Sequence, residues 1–470
     1  MAPNAIVDRA WKRNDRRRDR QNGAGNMQQT SLKAYLCAGV ALGAIAANTT
    51  ATQAGGFAIR EQSTAGQGTA FAGVAAGGAP SSMFWNPATM TQSRGLAAEA
   101  DLTGIAPFAD NAVRAGSTFA GLGGTGDVAP DTAVPSLYAI MQVNPNLWMG
   151  LSVNSPFGLS DRFPDAWAGR NYALDTKLHT YNATPSIAYK INDWISIGVG
   201  AQLQYASADL ENGIVAPGFL SHIAGRGWGF GATAGVTLTP GPSTEIGVGW
   251  RSAIDQAITG GLSLAAPALP PFAPPFSTPG SVSTTIRLPD VVSAGIRQRV
   301  TDAFTVMGTV EWSNWSRIGT SVITQPGGAP ALVATSPVTL PFQYRDGWYA
   351  AIGGEYQWTP RLALRAGIAF ESSPVTDQVR TPVVPDADRL HVATGLSYAW
   401  TQRLTLDLAY THIFVDNAPI DISATSGNPF FNSALGSYVG TSSPHIDILS
   451  LGLRYKFEPA PPSMPLKTKG

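Results

Sequence analysis

Residues 195–205 read ISIGVGAQLQY, in which Ile195, Ile197, Val199, Ala201, Leu203 and Tyr205 alternate with Ser196, Gly198, Gly200, Gln202 and Gln204. Period-two alternation places the first set on one face of a β-strand and the second on the other. The pattern recurs where Leu404, Leu406, Leu408 and Tyr410 oppose Arg403, Thr405, Asp407 and Thr411, and where Leu449, Leu451, Leu453 and Tyr455 oppose Ser450, Gly452 and Arg454. Leu362, Leu364, Ile368 and Phe370 likewise oppose Arg365. A soluble sandwich also alternates, but its outer polar face is rich in Lys and Glu. Here the polar face is Gly, Ser, Gln or a lone charge, as expected of a barrel with a narrow polar lumen and a lipid-facing exterior.

Composition agrees with one large β structure, since 51 Gly, 35 Pro and only 13% charged residues leave little from which to build helices. The formal net charge is zero, so no global field points to nucleic acid. Basic residues gather only between Arg9 and Arg20. The one long uncharged apolar run, Ala34 to Ala47, follows Lys33 and leads into small residues ending at Gln53-Ala54, which is the layout of a secretory signal peptide over 27–54. The Arg-rich stretch 1–26 reads as a mis-assigned start, with Met27 the true one, or as an extended or twin-arginine-like leader. The sole cysteine, Cys37, lies inside this segment, so the exported chain has no thiol.

No other stretch offers the roughly 18 to 20 apolar residues of a membrane helix, so a membrane form must be a closed barrel. Tight turns at Asn144-Pro145-Asn146, Ile191-Asn192-Asp193, Pro240-Gly241-Pro242, Thr301-Asp302, Thr359-Pro360 and Thr401-Gln402 alternate with long connections around 107–132, 155–178, 207–224, 256–284, 318–343, 371–388 and 415–443. Short turns on one side and long loops on the other is the outer-membrane asymmetry, and the count gives about 14 antiparallel strands over 95–457. Trp148, Trp194, Trp250, Trp312, Trp315, Trp348, Trp358 and Trp400 fall near strand ends, where interfacial girdles form. Residues 55–94, rich in Gly, Ala and Ser, fit no strand and are expected to plug the lumen. Pro185, inside the fourth strand, cannot donate a ladder hydrogen bond and predicts a bulge or irregular edge.

Several motifs, in this order, resemble the FadL family of outer-membrane transporters over essentially the whole exported chain. They are Gly55-Gly56-Phe57 with IREQSTAGQGTAFAG, then Asn86-Pro87-Ala88, SPFGLSDRF at 155–163 with Trp167 and Gly169-Arg170, LPDVVSAG at 288–295, WSNWS at 312–316, RDGW at 345–348 and LRAGIAFESSPV with PDADR in 364–389. The resemblance implies a 14-stranded barrel closed by an N-terminal hatch carrying Gly56 and Asn86-Pro87-Ala88, and an extracellular loop with helices at 155–170. It also implies an outer-membrane location among lipid and lipopolysaccharide, barrel assembly machinery as a partner, and sideways release through a wall gap that Pro185 would border. Family barrels end on the last strand's aromatic, whereas here Phe457 precedes a Pro-rich tail, 458–470, expected in the periplasm.

The resemblance implies passive uptake of hydrophobic molecules, with long-chain fatty acids first. Toluene-like aromatic hydrocarbons and an unselective diffusion porin are the alternatives. An acyl carboxylate needs a cation in a low-dielectric lumen, and inward arginines match it bidentately. Arg345 and Arg365 are the candidates, with lumen salt-bridge ladders as their other reading, and Phe57 and Ile59 of the hatch are expected at the pocket. Gly121 to Gly126 satisfies a dinucleotide pattern but lacks the strand and helix that would flank it. His179, His222, His391, His412 and His445 show no zinc spacing, and no nucleophile has its base, so neither enzyme, metal nor cofactor is expected.

Overall fold

The computed structural model describes residues 55–214, 216–266, 276–326, 332–333 and 336–457. The expected leader, Cys37 and the tail at 458–470 lie outside the described residues. Eighteen hydrogen-bonded segments, four pairs of which continue one another, make a closed antiparallel barrel of fourteen strands. These are β1 (Leu96–Val113), β2 (Thr132–Asn144), β3 (Leu147–Asn154 and Gly158–Arg162), β4 (Asp175–Lys190), β5 (Ile195–Ile214), β6 (Ala216–Gly241) and β7 (Thr244–Arg251 and Ile254–Ala266). They continue as β8 (Phe276–Leu288 and Val291–Arg299), β9 (Phe304–Ser313), β10 (Gly347–Thr359), β11 (Leu362–Ser372), β12 (Arg389–Ala399), β13 (Leu404–Val415 and Ala418–Ile422) and β14 (Tyr438–Lys456). The barrel closes where β1 pairs with β14, from Ala97 against Lys456 to Val113 against Gly440.

The alternation at 195–205 resolves as expected. Val199 is 60% exposed on the lipid face, whereas Gln202 and Gln204 are buried in the lumen. Leu449, Leu451 and Leu453 face out and Ser450 is fully buried. Trp194, Trp250, Trp348, Trp358 and Trp400 are exposed near strand ends and form the girdles. Trp148 and Trp315 depart from that expectation. The Trp148 Nε1 donates to Ser93 O (2.7 Å), and the Trp315 ring packs on Phe57, so both turn inward to meet the N-terminal segment.

Two of the expected loops are largely strand. Residues 207–214 and 216–224 pair as a hairpin, and Ile254–Ala266 pairs with Phe276–Leu288, because hydrogen bonding between neighbours continues where the chain no longer contacts lipid. The expected helices at 155–170 are absent; Gly158–Arg162 is strand and turns follow. Gly121 to Gly126 lies in the connection between β1 and β2.

Residues 55–94 fill the lumen as one short helix, α1 (Thr64–Gln67), capped by the Ser63 side chain, and three 3-10 turns at Val74–Ala76, Pro80–Phe84 and Pro87–Gln92. Asn86 caps the last turn and anchors it, its Nδ2 donating to Ala75 O (2.7 Å) and to Val236 O of β6 (2.9 Å) while Oδ1 accepts from Ala88 N (3.0 Å). The barrel's small inward residues are what this contact requires. A Cβ on Gly198 would sit 2.5 Å from Ala88 N, and one on Gly249 would strike Trp85 O. Gly198 of the opening stretch and Gly249 thus serve backbone-to-backbone packing against the plug.

Candidate functional site

The start of the plug lies against a break in the barrel wall. β2 pairs with β3 only from Leu137 against Val153 onward, while the outer piece of β3, Gly158–Arg162, pairs with β4 alone. Between the two pieces, Ser155-Pro156-Phe157 turns inward to meet the chain start. Ile59 N donates to Pro156 O (2.8 Å), Gly158 N donates to Phe57 O (2.9 Å), and Ala58 bridges Phe157. The fully buried Gln62 spans the break. Its Nε2 donates to Ser155 O (2.9 Å) and its Oε1 accepts from Ser136 Oγ of β2 (3.0 Å) and Asn154 Nδ2 of β3 (3.2 Å).

Two cavities lie beside this segment. The outer one, about 310 Å³, is lined mainly by apolar side chains, among them Leu159, Leu178, Leu210, Ile286, Ile323, Leu340, Phe342, Tyr344 and Phe430. Phe57 forms part of its wall, packed edge-on to Trp315 at 4.9 Å and Phe157 at 6.2 Å. Lys177 at the rim is paired with Asp175 (2.8 Å). Behind Asn171 and Gly213 the loop residue Arg170 is buried, and desolvation lowers its pKa. The inner cavity, about 80 Å³, is bounded by Ile59, Phe84, Trp85, Phe157, Ile254, Leu288 and Trp315, with Arg60, Arg251, Glu311 and Glu371 among its polar residues.

The three cations that line the cavities, Lys177, Arg60 and Arg251, differ in their company. Arg60 stacks on Tyr349 at 3.6 Å and pairs with Glu311 (2.7 Å) and Glu371 (3.6 Å). Arg251 donates to Phe84 O (3.0 Å) and to Gln202 Oε1, and lies over the Phe84 ring at 4.1 Å. Among the described residues no carboxylate stands within ion-pair distance of Arg251.

Of the expected site residues, Phe57 and Ile59 border the outer and inner cavities, and Gly56 is tied by its N–H to Asp386 Oδ2 (2.8 Å). Arg365 points into the lumen but is held by Glu355 (2.6 Å), Asp407 (3.5 Å) and Ser397 Oγ (2.6 Å), in the ladder arrangement that was its other reading. Arg345 follows the cavity residue Tyr344, is half-exposed, donates to Ser373 O (2.9 Å) and lies 3.6 Å from Asp388. Its neighbour Asp346 accepts from Trp312 Nε1 (3.0 Å) and Ser316 N (3.2 Å). Pro185 faces lipid opposite Leu151, and the ladder to β5 lapses at Thr184 and Pro185 between the pairs Ala183–Leu203 and Ser186–Gly200. That lapse is the irregular edge expected of a missing N–H. The opening beside the plug lies on the other side of β3, so Pro185 does not border it. Sequence reasoning missed Arg251, Gln62 and Pro156. The only signal for Arg251 was a basic residue at the end of an alternating strand that also carries Trp250.

The family of outer membrane protein transport proteins (OMPP1/FadL/TodX) matches residues 45–457. Outer membrane protein P1 of Haemophilus influenzae is 25% identical over 450 residues, covering 86% of this chain and 95% of that one. The long-chain fatty acid transport protein of Escherichia coli is 26% identical over 415 residues, covering 79% and 89%. Among solved structures, a Pseudomonas aeruginosa FadL homologue superposes with a TM-score of 0.76 at 23% identity over 86% of this chain and all of that one. The Pseudomonas putida toluene transporter TodX does so with 0.62 at 15% identity, covering 81% and 94%. At those identities the two likenesses establish the fold. The barrel, the filled lumen and this match over nearly all the described residues lead to one conclusion: the chain belongs to the OMPP1/FadL/TodX family of outer-membrane transporters of hydrophobic compounds.

Proposed function

We propose that the protein takes up long-chain fatty acids, capturing the acyl chain in the outer cavity and the carboxylate at Arg251. The observation that carries this reading is Arg251 itself: a buried guanidinium lining the inner cavity, with no acid at ion-pair distance among the described residues. A buried guanidinium without an ion-pair partner is costly, and an entering carboxylate supplies one with two parallel hydrogen bonds. The outer cavity of about 310 Å³ exceeds what a monoaromatic needs, since a cavity of about 150 Å³ already admits benzene. Each buried methylene contributes about 0.8 kcal/mol, so ten give roughly 8 kcal/mol before ordering costs.

Passage from the outer to the inner cavity requires Phe57 to leave its place against Trp315, and release sideways requires Gln62 to leave the break between β2 and β3. Both residues belong to the first eight residues of the plug, so one displacement of residues 55–62 serves both steps. Binding drives it only as far as ligand prefers the displaced form. Consumption of ligand inside the cell keeps the gradient inward. An unselective porin does not fit a lumen filled by residues 55–94.

The test is uptake of radiolabelled oleate and of labelled toluene by a deletion strain carrying no gene, the wild type or Arg251→Gln. Oleate uptake restored by the wild type and weakened by the variant is expected. Toluene uptake alone would assign the cavity to neutral aromatics, and oleate uptake indifferent to the variant would remove Arg251 from the path.

A further inference from the structure

The first described residues of the plug enter a nest of carboxylates. Glu311, Glu371 and Asp386 are all under 10% exposed, and among the described residues the cations within ion-pair distance of them are Arg60, Arg389 and, if protonated, His391. Three buried carboxylates thus share two guanidiniums, a deficit of one charge that water cannot screen in this interior. The Glu371 carboxylate lies against the main chain of Gly55: a Cβ there would meet Oε1 at 2.6 Å and Cδ at 3.3 Å. The next nitrogen, that of Gly56, already donates to Asp386 Oδ2 at 2.8 Å. Gly55 has a positive φ of 34°, a backbone conformation that favours glycine.

We propose that removal of a leader after Ala54 creates an α-ammonium on Gly55 that Glu371 holds, so that processing supplies the cation this nest lacks and locks the plug. In the uncleaved precursor the same nitrogen is a neutral amide, which brings a hydrogen-bond donor but no charge. Cleavage adds one positive charge where the deficit lies, and a charge-assisted bond to a buried carboxylate is roughly twice as strong as a neutral one. The inference is independent of the cargo, because Glu371 is paired through residues that need no ligand.

The test uses the intact exported protein in detergent, acylated by an N-hydroxysuccinimide ester at pH 7, with the N-terminal peptide quantified by mass spectrometry. Glu371→Gln is expected to speed acylation about tenfold, the effect of a one-unit change in the amine's proton affinity. In a chain with one alanine inserted before Gly55, which moves the amine out of reach, Glu371→Gln should change the rate less than about twofold. Should Glu371→Gln fail to give the heat-modifiable band of a closed barrel, the comparison is between wild type and the extended chain, the latter reacting about tenfold faster. An exported chain that begins elsewhere than Gly55, equal rates for the compared chains, or the same acceleration in the extended chain would overturn the proposal.

Discussion

Toward the turn end of the lumen, Arg297, Glu355, Arg365, Asp407 and Arg454 form a ladder in which each guanidinium has a carboxylate and each carboxylate at least one guanidinium. Toward the loop end, Arg251 leans on a ring and a carbonyl, with no acid at ion-pair distance among the described residues. Both sets point inward from alternating strands, so inwardness alone does not make an arginine a ligand site. Completeness of pairing separates them. A finished ladder gains nothing from an incoming carboxylate, whereas a guanidinium without an ion-pair partner in a cavity lining does.

The largest effect should come from removing the plug that separates the two ends. Deleting residues 55–94 is expected to turn a closed barrel into a conducting pore in planar bilayers, and unchanged conductance would mean that something else seals the lumen. Next, Arg365→Gln leaves Asp407 and Glu355 under-compensated and should cost about 3–5 kcal/mol in urea unfolding while leaving oleate affinity as it was. Arg251→Gln should do the reverse. Loss of a charged hydrogen-bond partner, about 1.5–3 kcal/mol, weakens oleate binding about 10–100-fold with a smaller change in unfolding midpoint. Equal losses of stability and affinity in both variants would erase the distinction drawn above.

Gln62→Ala removes the side chain that ties both edges of the wall break and is expected to raise the rate of oleate release without tightening or weakening its capture, read by stopped-flow transfer from detergent to vesicles. Arg345→Ala should have the smallest effect, under about 1 kcal/mol on affinity, because its half-exposed pair with Asp388 is screened by water. A larger loss would bring Arg345 back as the carboxylate partner.

The strands were readable because lipid and lumen impose opposite demands on alternate residues, and the sequence at 195–205 answers them one by one. The outer hairpins at 207–224 and 254–288 were not, since above the membrane neither face has to be apolar and the alternation fades while the ladder goes on. The inward turn of Trp148 and Trp315 was hidden for a related reason: a tryptophan near a strand end suits an interface and a plug contact equally well, and only the plug's position decides. Phe57, Ile59 and Asn86 were placed by resemblance and lie at the cavities or in the plug. Arg251 and Arg365 look alike in sequence, because their difference is a matter of which strands stand beside them. Gln62 lies inside the IREQSTAGQGTAFAG motif, yet nothing in the sequence singled it out, as its role depends on a gap between two other strands.

The seam between β1 and β14 joins the beginning of the barrel to its end, so the last strand made must find the first. Residues 55–94 precede both in the chain, and Gln67 is bonded to Ser450 and Ile448 on the inner side of that seam. Threading such a densely packed segment into an already sealed cylinder would mean unpacking it. The order of assembly follows: the wall curls around its own plug while one side is open, and zipping the seam is the act that encloses it.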